Sequence, residues 1–582
     1  MIRRITDKSG RRLIVIGLDG ASYNYLDPVL KTGRVPNFRR FFDVGARSDC
    51  LSTIPPLTPP AWSTMMTGVN PGKHGIFDFI QPDRKGAFRI VDARSRARRT
   101  FLDRAQDENI RVLSVLVPYT FPPREDANGL IISGLGTPSA ESDFIRPHGY
   151  RDKILAGFPF LKEVDPTRGQ SIDTLHAVLN QHTESTIDLT RFAMSEFPDW
   201  GISFTVFSAT DLIPHFYSKF FDPGHPDFDP LSADSNREFR NSLNKIYEAI
   251  DTFLGESLDL IEREGGWIML VSDHGSQPLV GAIGKDAFLA KWLEDNGYLF
   301  TGGDEGREKQ AKKIKTGSLT NRLLYLAKKS TPHSIRNAFN LAFGRQKDAM
   351  AEKLSAVPFR DEIDWTKTRA FCAPGGYGIG LYINRSGDFP HGIVQKGADY
   401  HSVRDEIKQK LEKLEISPGI SLFTRVLPRE EAIWGPSVDL APDLFLLWRE
   451  DPLLRQNEYR LVDGTSLNPP EQREGTRLTW CGTHKMEGIL VLAGDGVRCG
   501  YTCAIIPNLA DILPTISSLC GIEIPGDVDG KMISDMFERD FLDKIKPRIG
   551  PPEEPKGPES GSLSRDESEK MIDLLEGLGY LN

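Results

Sequence analysis

The sequence predicts a globular protein with an α/β fold in which helices cover an open sheet, and its pattern, length and composition indicate the fold, the domain count and the globular class in turn. Short β-branched and apolar runs, bounded by glycine or polar residues, alternate with longer amphipathic stretches. The chain has 582 residues, which suggests roughly two to four domain-sized units. Its composition, with 39% hydrophobic and 26% charged residues, is ordinary for a globular protein.

Six apolar runs are predicted to be strands. They are "RLIVIG" (12–17), "RVLSVLV" (111–117), "ISFTVF" (202–207), "WIMLVS" (267–272), "PDLFLLW" (442–448) and "GILVLAG" (488–494). The first run leads to Asp19, the third to Asp211 and the fourth to Asp273. Because ligands of open α/β sheets bind beyond the carboxyl ends of the strands, we expect these acidic side chains to meet at one edge.

Histidines accompany these acidic residues at spacings that suit a metal site. In "DLIPH", Asp211 and His215 are four positions apart, which places both on one face of a helix. His274 directly follows Asp273, and His484 stands just before the last predicted strand. Three aspartates and three histidines could hold two divalent cations with open positions for a substrate. The alternative for "DLIPH" is a helix-capping aspartate beside a surface histidine.

A proline-rich loop, "IPPLTPPAWSTMMTG" (54–68), contains four hydroxyl side chains. Threonine and serine beside proline are commonly turn formers whose hydroxyls bond to local backbone groups. The other interpretation is that one of them is a nucleophile. The loop alone does not decide between the two.

The overall composition limits the partners and the location. A net charge of −9 argues against a surface that coats nucleic acid, so no nucleic-acid polymer is expected as a partner. The six cysteines are scattered and form no CxxC pair, which favours a reducing compartment. The apolar run near the start has only six residues, too few for a signal sequence or a membrane span. The predicted location is the cytoplasm.

The order of these motifs resembles the alkaline phosphatase superfamily, and within it the type I phosphodiesterase/nucleotide pyrophosphatase family. The motifs are Asp19, a threonine in a proline-rich loop, "DLIPH", "SDHG" and a late "GTH". The resemblance covers residues 11–80, 195–280 and 365–540. It implies an alkaline-phosphatase-like, mostly parallel central sheet that is sandwiched by helices and carries cap insertions.

The resemblance also implies roles for the site residues. Thr58, in "PPLTPPAWSTMMTGVNPGKHGI", stands where the family has its nucleophile, ahead of a helix that begins at about Ala61 and offers amide donors to phosphate. One cation would be held by Asp19, Thr58, Asp273 and His274, and the other by Asp211, His215 and His484. The expected cofactors are two zinc ions, with manganese as the alternative. Attack by Thr58 on phosphorus would form a phospho-threonine intermediate that water then hydrolyses.

One departure from the family pattern concerns the phosphate contact. Where many relatives have an asparagine in "HGIVDN", this chain reads "HGIFDF", with Phe79 at that position. We therefore expect the contact to come from Lys73, Trp62 or Lys485. No "CxPSR"-like motif occurs, which disfavours sulfatase activity.

The remaining stretches are interpreted as insertions and a tail. The predicted core comprises 1–80, 196–284 and 365–545, with a first insertion at 81–195 that is partly core, a basic cap insertion at 285–364, a linker at 546–563 and a C-terminal helix at 564–582. Eleven lysines or arginines and one acidic residue lie in 307–347, either as a solvated helical face or as a lid that contacts an anionic substrate or membrane surface. In the C-terminal helix, a capping box of Ser564 and Glu567 precedes an apolar face that docks on the core or on a second subunit. The oligomeric state stays open.

The sequence thus predicts a metal-dependent hydrolase that cleaves phosphodiester or pyrophosphate bonds in nucleotide-like or other small phosphate esters. A phosphomonoesterase or phosphoryl mutase of the same superfamily is the first alternative. A non-catalytic, metal-containing binding protein is the second. Relative rates on bis-p-nitrophenyl phosphate and p-nitrophenyl phosphate separate the diesterase from the monoesterase.

Overall fold

The structure, a computed structural model, describes most of the chain. The described residues are 12–82, 88–232, 236–281, 285–301, 363–373, 380–389, 391–455, 459–467, 480–556 and 563–578. The basic segment 307–347 therefore lies outside the described residues, and so does most of the predicted cap insertion 285–364.

Strands and helices alternate through the described chain. The strands are β1 (Arg12–Leu18), β2 (Gly45–Leu51), β3 (Ile80–Pro82), β4 (Phe88–Ile90), β5 (Val112–Val117), β6 (Gly129–Ser133), β7 (Ile145–Arg146), β8 (Ile202–Phe207), β9 (Gly266–Val271), β10 (Gly275–Pro278), β11 (Ala370–Cys372), β12 (Gly380–Ile383), β13 (Glu415–Ser417), β14 (Ile420–Ser421), β15 (Phe423–Pro428), β16 (Leu444–Trp448), β17 (Tyr459–Arg460), β18 (Ser466–Leu467), β19 (Gly482–Lys485), β20 (Glu487–Gly494) and β21 (Tyr501–Thr502). The helices are α1 (Tyr23–Lys31), α2 (Pro36–Val44), α3 (Thr58–Thr67), α4 (Pro71–His74), α5 (Phe101–Asp107), α6 (Arg151–Gly157), α7 (Ile172–Glu196), α8 (Ala209–Phe221), α9 (Arg237–Arg240), α10 (Ser242–Glu264), α11 (Lys285–Asp295), α12 (Ala398–Glu412), α13 (Arg429–Ala432), α14 (Ile512–Cys520), α15 (Arg539–Leu542) and α16 (Arg565–Gly577).

The main sheet of the described chain has nine strands in the order β21-β2-β20-β9-β1-β8-β5-β6-β7. Its centre, from β9 to β6, is parallel, whereas β20 and β7 join it in the antiparallel sense. Leu18 at the end of β1 pairs with Phe207 at the end of β8, so these strands reach the same edge. The α/β prediction with a mostly parallel sheet is confirmed.

Helices bury both faces of this sheet, as a parallel sheet requires. Leu13 and Val15 of β1 pack in one apolar cluster with residues of α3, including Trp62. Ile14 and Ile16, which point to the opposite face, pack in a second cluster with α8 and α10. Consequently α3 and α8 approach the carboxyl edge of β1 from opposite sides of the sheet.

One strand lies in a second sheet, and one helix boundary was predicted wrongly. The run "PDLFLLW" forms a strand, β16, as predicted, and this strand belongs to a separate antiparallel sheet of order β11-β12-β16-β15. An apolar run predicts a buried strand but does not encode its partners. Helix α3 begins at Thr58 and not at about Ala61, because Pro59 and Pro60 occupy its first turn, where no backbone donor is needed.

The C-terminal helix α16 docks on the core of its own chain. The capping box predicted at its start is present, with Ser564 and Glu567 bonding to each other's backbone amides. Met571 and Leu575 are fully buried in the same apolar cluster as α8. Among the described residues, no helix combines the length and the apolar character needed to cross a membrane.

Candidate metal centre

The carboxyl edge of the main sheet gathers the acidic residues that follow its strands. Asp19 follows β1, Asp211 lies in the first turn of α8 after β8, and Asp273 follows β9. All three carboxylates are buried, with at most 2% of their surface exposed. The backbone N–H of Gly20 donates to Asp273 Oδ1 over 3.2 Å, which ties the ends of β1 and β9 together.

One group of potential ligands consists of Asp19, Asp273 and His274, whose ligand atoms all lie within 4.8 Å of one another. His274 Nε2 is 3.3 Å from Asp273 Oδ2 and 3.6 Å from Asp19 Oδ1. These are the three side chains that the family resemblance assigned, with Thr58, to one cation. The structure therefore brings them together in one buried place.

The second group surrounds Asp211. His215 Nε2 lies 3.1 Å from Asp211 Oδ2, and His484 Nε2 lies 3.6 Å from Asp211 Oδ1. His484 comes from β19, more than 260 positions further along the chain, and its ring stacks on His274 with centroids 3.8 Å apart. The potential ligand atoms of Asp211, His274 and His484 also lie within 4.8 Å of one another. His274 therefore belongs to both groups.

The imidazoles of His215 and His484 are oriented as metal ligands are. The Nδ1 atom of His215 is 2.9 Å from the carbonyl of Gly482, and that of His484 is 3.0 Å from the carbonyl of Pro56. A carbonyl only accepts, so each Nδ1 carries the proton, which in neutral rings leaves the lone pair on Nε2. The two Nε2 atoms are 3.0 Å apart. In neutral rings, both Nε2 atoms would present lone pairs that could bind a cation.

Burial and neighbouring charges shift the pKa values of the side chains in the site. Burial raises the pKa of Asp19 well above its usual value, and the charges of Asp273 and Asp211 raise it further. Burial raises the pKa of Asp273 to about 6. Burial acts on Asp211 in the same direction, but the neighbouring His215 and His484 outweigh it and hold its pKa below the usual range. The pKa of His484 is lowered by burial and by His274.

These observations fit divalent metal ions. Asp19 Oδ1 and Asp273 Oδ2 are buried and accept no hydrogen bond from the described residues. Such oxygens are costly unless a cation or a proton balances them. Imidazole nitrogen and carboxylate oxygen are the ligand types of catalytic zinc sites.

Thr58 lies beside the first group. Its Oγ1 is 3.4 Å from His274 Nε2, and its side chain is completely buried at the start of α3. The predicted supply of helix amides from Ala61 was wrong, because the N–H of Ala61 donates to the carbonyl of Leu57 over 2.9 Å. Pro59 and Pro60, which stand between Thr58 and Ala61, have no backbone N–H to donate.

The four residues expected near the substrate have different surroundings. Trp62 donates its indole N–H to Asp19 Oδ2 over 3.4 Å, so it supports a potential ligand. Phe79 is completely buried and packs edge-on against Tyr119. Lys73 donates to Asp529 Oδ1 and to the carbonyl of Asp527 over 2.7 and 2.6 Å. Their role at the phosphate stays a prediction.

Lys485, the fourth of these residues, follows His484 on β19. Successive residues of a strand point to opposite sides, so Lys485 points away from the side that His484 occupies. Its Cε lies 2.9 Å from the place where a side chain at Gly275 would begin. The Lys485 side chain thus lies against Gly275 of β10. Its role as a substrate contact also stays a prediction.

Two glycines allow neighbouring atoms of the site to approach the backbone closely. Gly20 has φ +65°, and a Cβ atom there would stand 2.3 Å from Asp211 Oδ1. A Cβ atom at Gly482 would stand 2.4 Å from the carbonyl oxygen of Pro214. These close approaches allow Asp211 to reach the edge of the sheet and the carbonyl of Gly482 to reach His215.

Sequence reasoning missed Trp480, which supports the second group. Its indole ring lies against the ring of His215, with centroids 3.8 Å apart and planes inclined by 31°. The only signal was its place in "WCGTH", four residues before His484. Tyr119 was also missed: it is fully buried with φ +55°, and its hydroxyl has no hydrogen-bond partner among the described residues.

Buried carboxylates and imidazoles at strand ends, with a hydroxyl beside them, define a metal-dependent hydrolase as the class of protein. The chain belongs to the type I phosphodiesterase/nucleotide pyrophosphatase family, whose profile matches residues 13–371. The resemblance inferred from the motifs is thereby confirmed, and the protein is a phosphoric ester hydrolase. His484 and α16 lie beyond the matched residues.

The chain is also similar to solved structures with which it shares little sequence identity. A mutant of alkaline phosphatase PafA is 12% identical, with a TM-score of 0.52 over 91% of this chain and 99% of that chain. Phosphonoacetate hydrolase from Sinorhizobium meliloti, in complex with phosphonoacetate, is 17% identical, with a TM-score of 0.48 over 87% and 95%. An inactive murine ectonucleotide pyrophosphatase/phosphodiesterase 5, in complex with AMP, is 13% identical, with a TM-score of 0.46 over 91% and 100%. A comparison with curated protein sequences found no match.

Proposed function

We propose that this hydrolase cleaves phosphodiester or pyrophosphate bonds of small phosphate esters with Thr58 as its nucleophile. The observation that carries the proposal is the position of Thr58 Oγ1, buried and 3.4 Å from His274 Nε2. A buried hydroxyl at a cluster of candidate metal ligands is placed for nucleophilic attack. The same geometry is compatible with attack by a water molecule, and the experiment below separates the two.

The proposed cofactors are two divalent ions, zinc or alternatively manganese. Asp19, Asp273 and His274 would hold one ion with Thr58, and Asp211, His215 and His484 would hold the other. When bound, such ions supply Lewis-acid stabilisation of negative charge on oxygen and lower the pKa of a hydroxyl.

The chain's own groups then account for two displacements at phosphorus. The Thr58 oxygen forms a bond to phosphorus while the bond to the leaving alcohol or phosphate breaks, and the proton of the threonine hydroxyl passes to the leaving group. Water next attacks the phosphorus bound to Thr58, the bond from phosphorus to Thr58 breaks, and a proton of the water passes to the threonine oxygen. Two in-line displacements give net retention at phosphorus. Burial of Thr58 keeps bulk water away from the first step.

The test combines acid quenching with two substitutions. Acid quenching during turnover of bis-p-nitrophenyl phosphate should trap a p-nitrophenyl phosphodiester on the peptide that contains Thr58, because only one p-nitrophenol leaves in the first displacement. Thr58→Ala should lower kcat by roughly 10³-fold or more, and Thr58→Ser should keep part of the activity. Ser63→Ala is the matched control, because Ser63 is a buried hydroxyl on the same helix without a hydrogen-bond partner among the described residues.

Direct attack by water predicts the opposite results. Near-normal turnover by Thr58→Ala, together with inversion at a chiral phosphorothioate, would exclude Thr58 as the nucleophile. A faster rate on p-nitrophenyl phosphate than on the diester would favour the phosphomonoesterase alternative. Finding no turnover of any phosphate ester by the metal-reconstituted protein would favour a binding protein.

The proposed setting is the reducing cytoplasm, on the basis of six scattered cysteines. Its substrates would be small phosphate esters. The net charge of −9 supports the exclusion of nucleic-acid polymers as partners. Contact of 307–347 with an anionic membrane surface stays a prediction from the sequence.

A further inference from the structure

A cavity of about 90 Å³ opens beside the candidate metal centre. Asp19 and Asp211, one from each group of potential ligands, form part of its wall. Most of the remaining wall is apolar and includes Leu116, Pro118, Phe144, Phe160, Val206 and Leu578. A group attached to a phosphate at the centre can therefore enter an apolar space without leaving the site.

The C-terminal helix closes one side of this cavity. Leu578, the residue that follows α16, lines the cavity and is 3% exposed. Its backbone carbonyl accepts the indole N–H of Trp480 over 3.2 Å, and Trp480 in turn packs on His215. The carbonyl of Gly577 accepts from Thr167 Oγ1 over 3.1 Å. The end of α16 is thus held by Thr167, the neighbour of Pro166 in the cavity wall, and by Trp480, which contacts the candidate ligand His215.

Another part of the wall contains unusual backbone geometry. Leu116 has φ +55°, a conformation uncommon outside glycine, and the pairing of β5 with β6 shifts register between Val115 and Val117. Pro118 follows directly and also lines the cavity. Strained residues held at a cavity are characteristic of functional sites, where the surrounding fold stabilises them.

The volume limits what the cavity can hold. An apolar cavity of about 150 Å³ binds benzene, so a cavity of about 90 Å³ accommodates a smaller group. A branched alkyl group of about three or four carbons suits this volume, whereas a cyclohexyl group or a nucleoside exceeds it. Two of the three acidic residues in the wall, Asp19 and Asp211, belong to the candidate centre, which places the apolar group next to the phosphate, and the third is Glu163.

We propose that the cavity binds a compact apolar group of the phosphate ester and that Leu578 sets the size of this group. The proposal rests on the proposed function and specifies its substrate class: diesters with a short branched hydrocarbon group, in preference to nucleotides. Each methylene that the cavity buries should raise kcat/KM about fourfold. The C-terminal helix then contributes to specificity from outside the residues that match the family.

The experiment measures kcat/KM for alkyl p-nitrophenyl phosphates with methyl, isopropyl, isobutyl and cyclohexyl groups, and for thymidine 5′-p-nitrophenyl phosphate. The leaving group is constant, so the differences report binding of the variable group. The wild-type protein should prefer isopropyl or isobutyl over methyl by about tenfold or more, and should disfavour cyclohexyl and thymidine. Leu578→Ala should shift the preference towards cyclohexyl.

Ratios between substrates keep the test valid if a variant is less stable, because a loss of folded protein lowers every rate equally. Asp573→Ala, exposed on the same helix, should leave the ratios unchanged. Equal kcat/KM values across the series in an active enzyme would overturn this inference and leave the proposed function standing. Absence of turnover on every ester would overturn both.

Discussion

Replacing Asp273 by asparagine should stabilise the metal-free protein, although it removes a potential metal ligand. Asp273 is completely buried, and burial raises its pKa from 3.8 to about 6 despite the opposing effect of His274. At about 1.4 kcal/mol per pKa unit, the ionised side chain costs the folded state about 3 kcal/mol. Asparagine carries no charge, and its carbonyl can still accept the N–H of Gly20 that Asp273 now accepts over 3.2 Å.

The pH dependence of this effect has a definite sign. The pKa of Asp273 is higher in the folded state than in the unfolded state, so the folded protein binds more protons between about pH 4 and 6. The contribution to stability is present below about pH 4 and is lost as the pH rises through about 6. The advantage of Asp273→Asn should therefore be absent at pH 4 and reach about 3 kcal/mol at pH 8.

Urea unfolding of the exhaustively chelated proteins between pH 4 and 8 measures this difference. The control is Asp573→Asn, on an exposed position of α16, which should stay within about 0.5 kcal/mol of the wild type. With zinc added, the order should reverse, because only the intact site gains stability from binding. Lower stability of chelated Asp273→Asn at pH 8, or an equal advantage at pH 4 and pH 8, would refute the reasoning.

Three further predictions concern the metal ions and the C-terminal helix. Chelation should abolish activity, and two equivalents of zinc or manganese should restore it; full activity after exhaustive EDTA treatment contradicts the two-metal proposal. His484→Ala should lose one metal equivalent and most turnover, whereas Lys485→Ala, whose side chain points to the other side of β19, should keep both equivalents by elemental analysis. Leu575→Ala removes a fully buried side chain and should lower the free energy of unfolding by about 2–5 kcal/mol, measured in urea; a loss below 0.5 kcal/mol, the size expected for Asp573→Ala, would show that α16 does not dock.

The sheet and the potential ligands were predictable because the relevant signals are local. Each strand of the parallel centre is a short apolar run, and a parallel sheet delivers the residues after its strands to one edge. This geometry brought Asp19, Asp211 and Asp273 together in the prediction and in the structure. The spacing within "DLIPH" placed His215 in the same way, since α8 begins at Ala209.

Partners that come from distant segments were not predictable. Lys73 was expected at the phosphate, but its ammonium bonds to Asp529, and no local pattern encodes that pairing. Trp480 contacts His215 only because β19 returns to the carboxyl edge. The strand "PDLFLLW" joined a different sheet for the same reason: its sequence predicts burial and leaves the pairing to the tertiary fold.

How the candidate ligands divide between metal ions stays a prediction, and both the geometry and the charges of the two groups bear on it. His274 belongs to both groups, so the order of motifs along the chain does not assign it to a single ion. Without metal, the imidazoles keep Asp211 ionised, whereas Asp19 and Asp273 retain protons to a higher pH because their pKa values are raised. A cation that binds Asp19 and Asp273 must therefore displace protons, whereas one that binds Asp211 meets a carboxylate that is already charged. The two groups are chemically unequal before any metal arrives, and the affinity of the first group depends more steeply on pH.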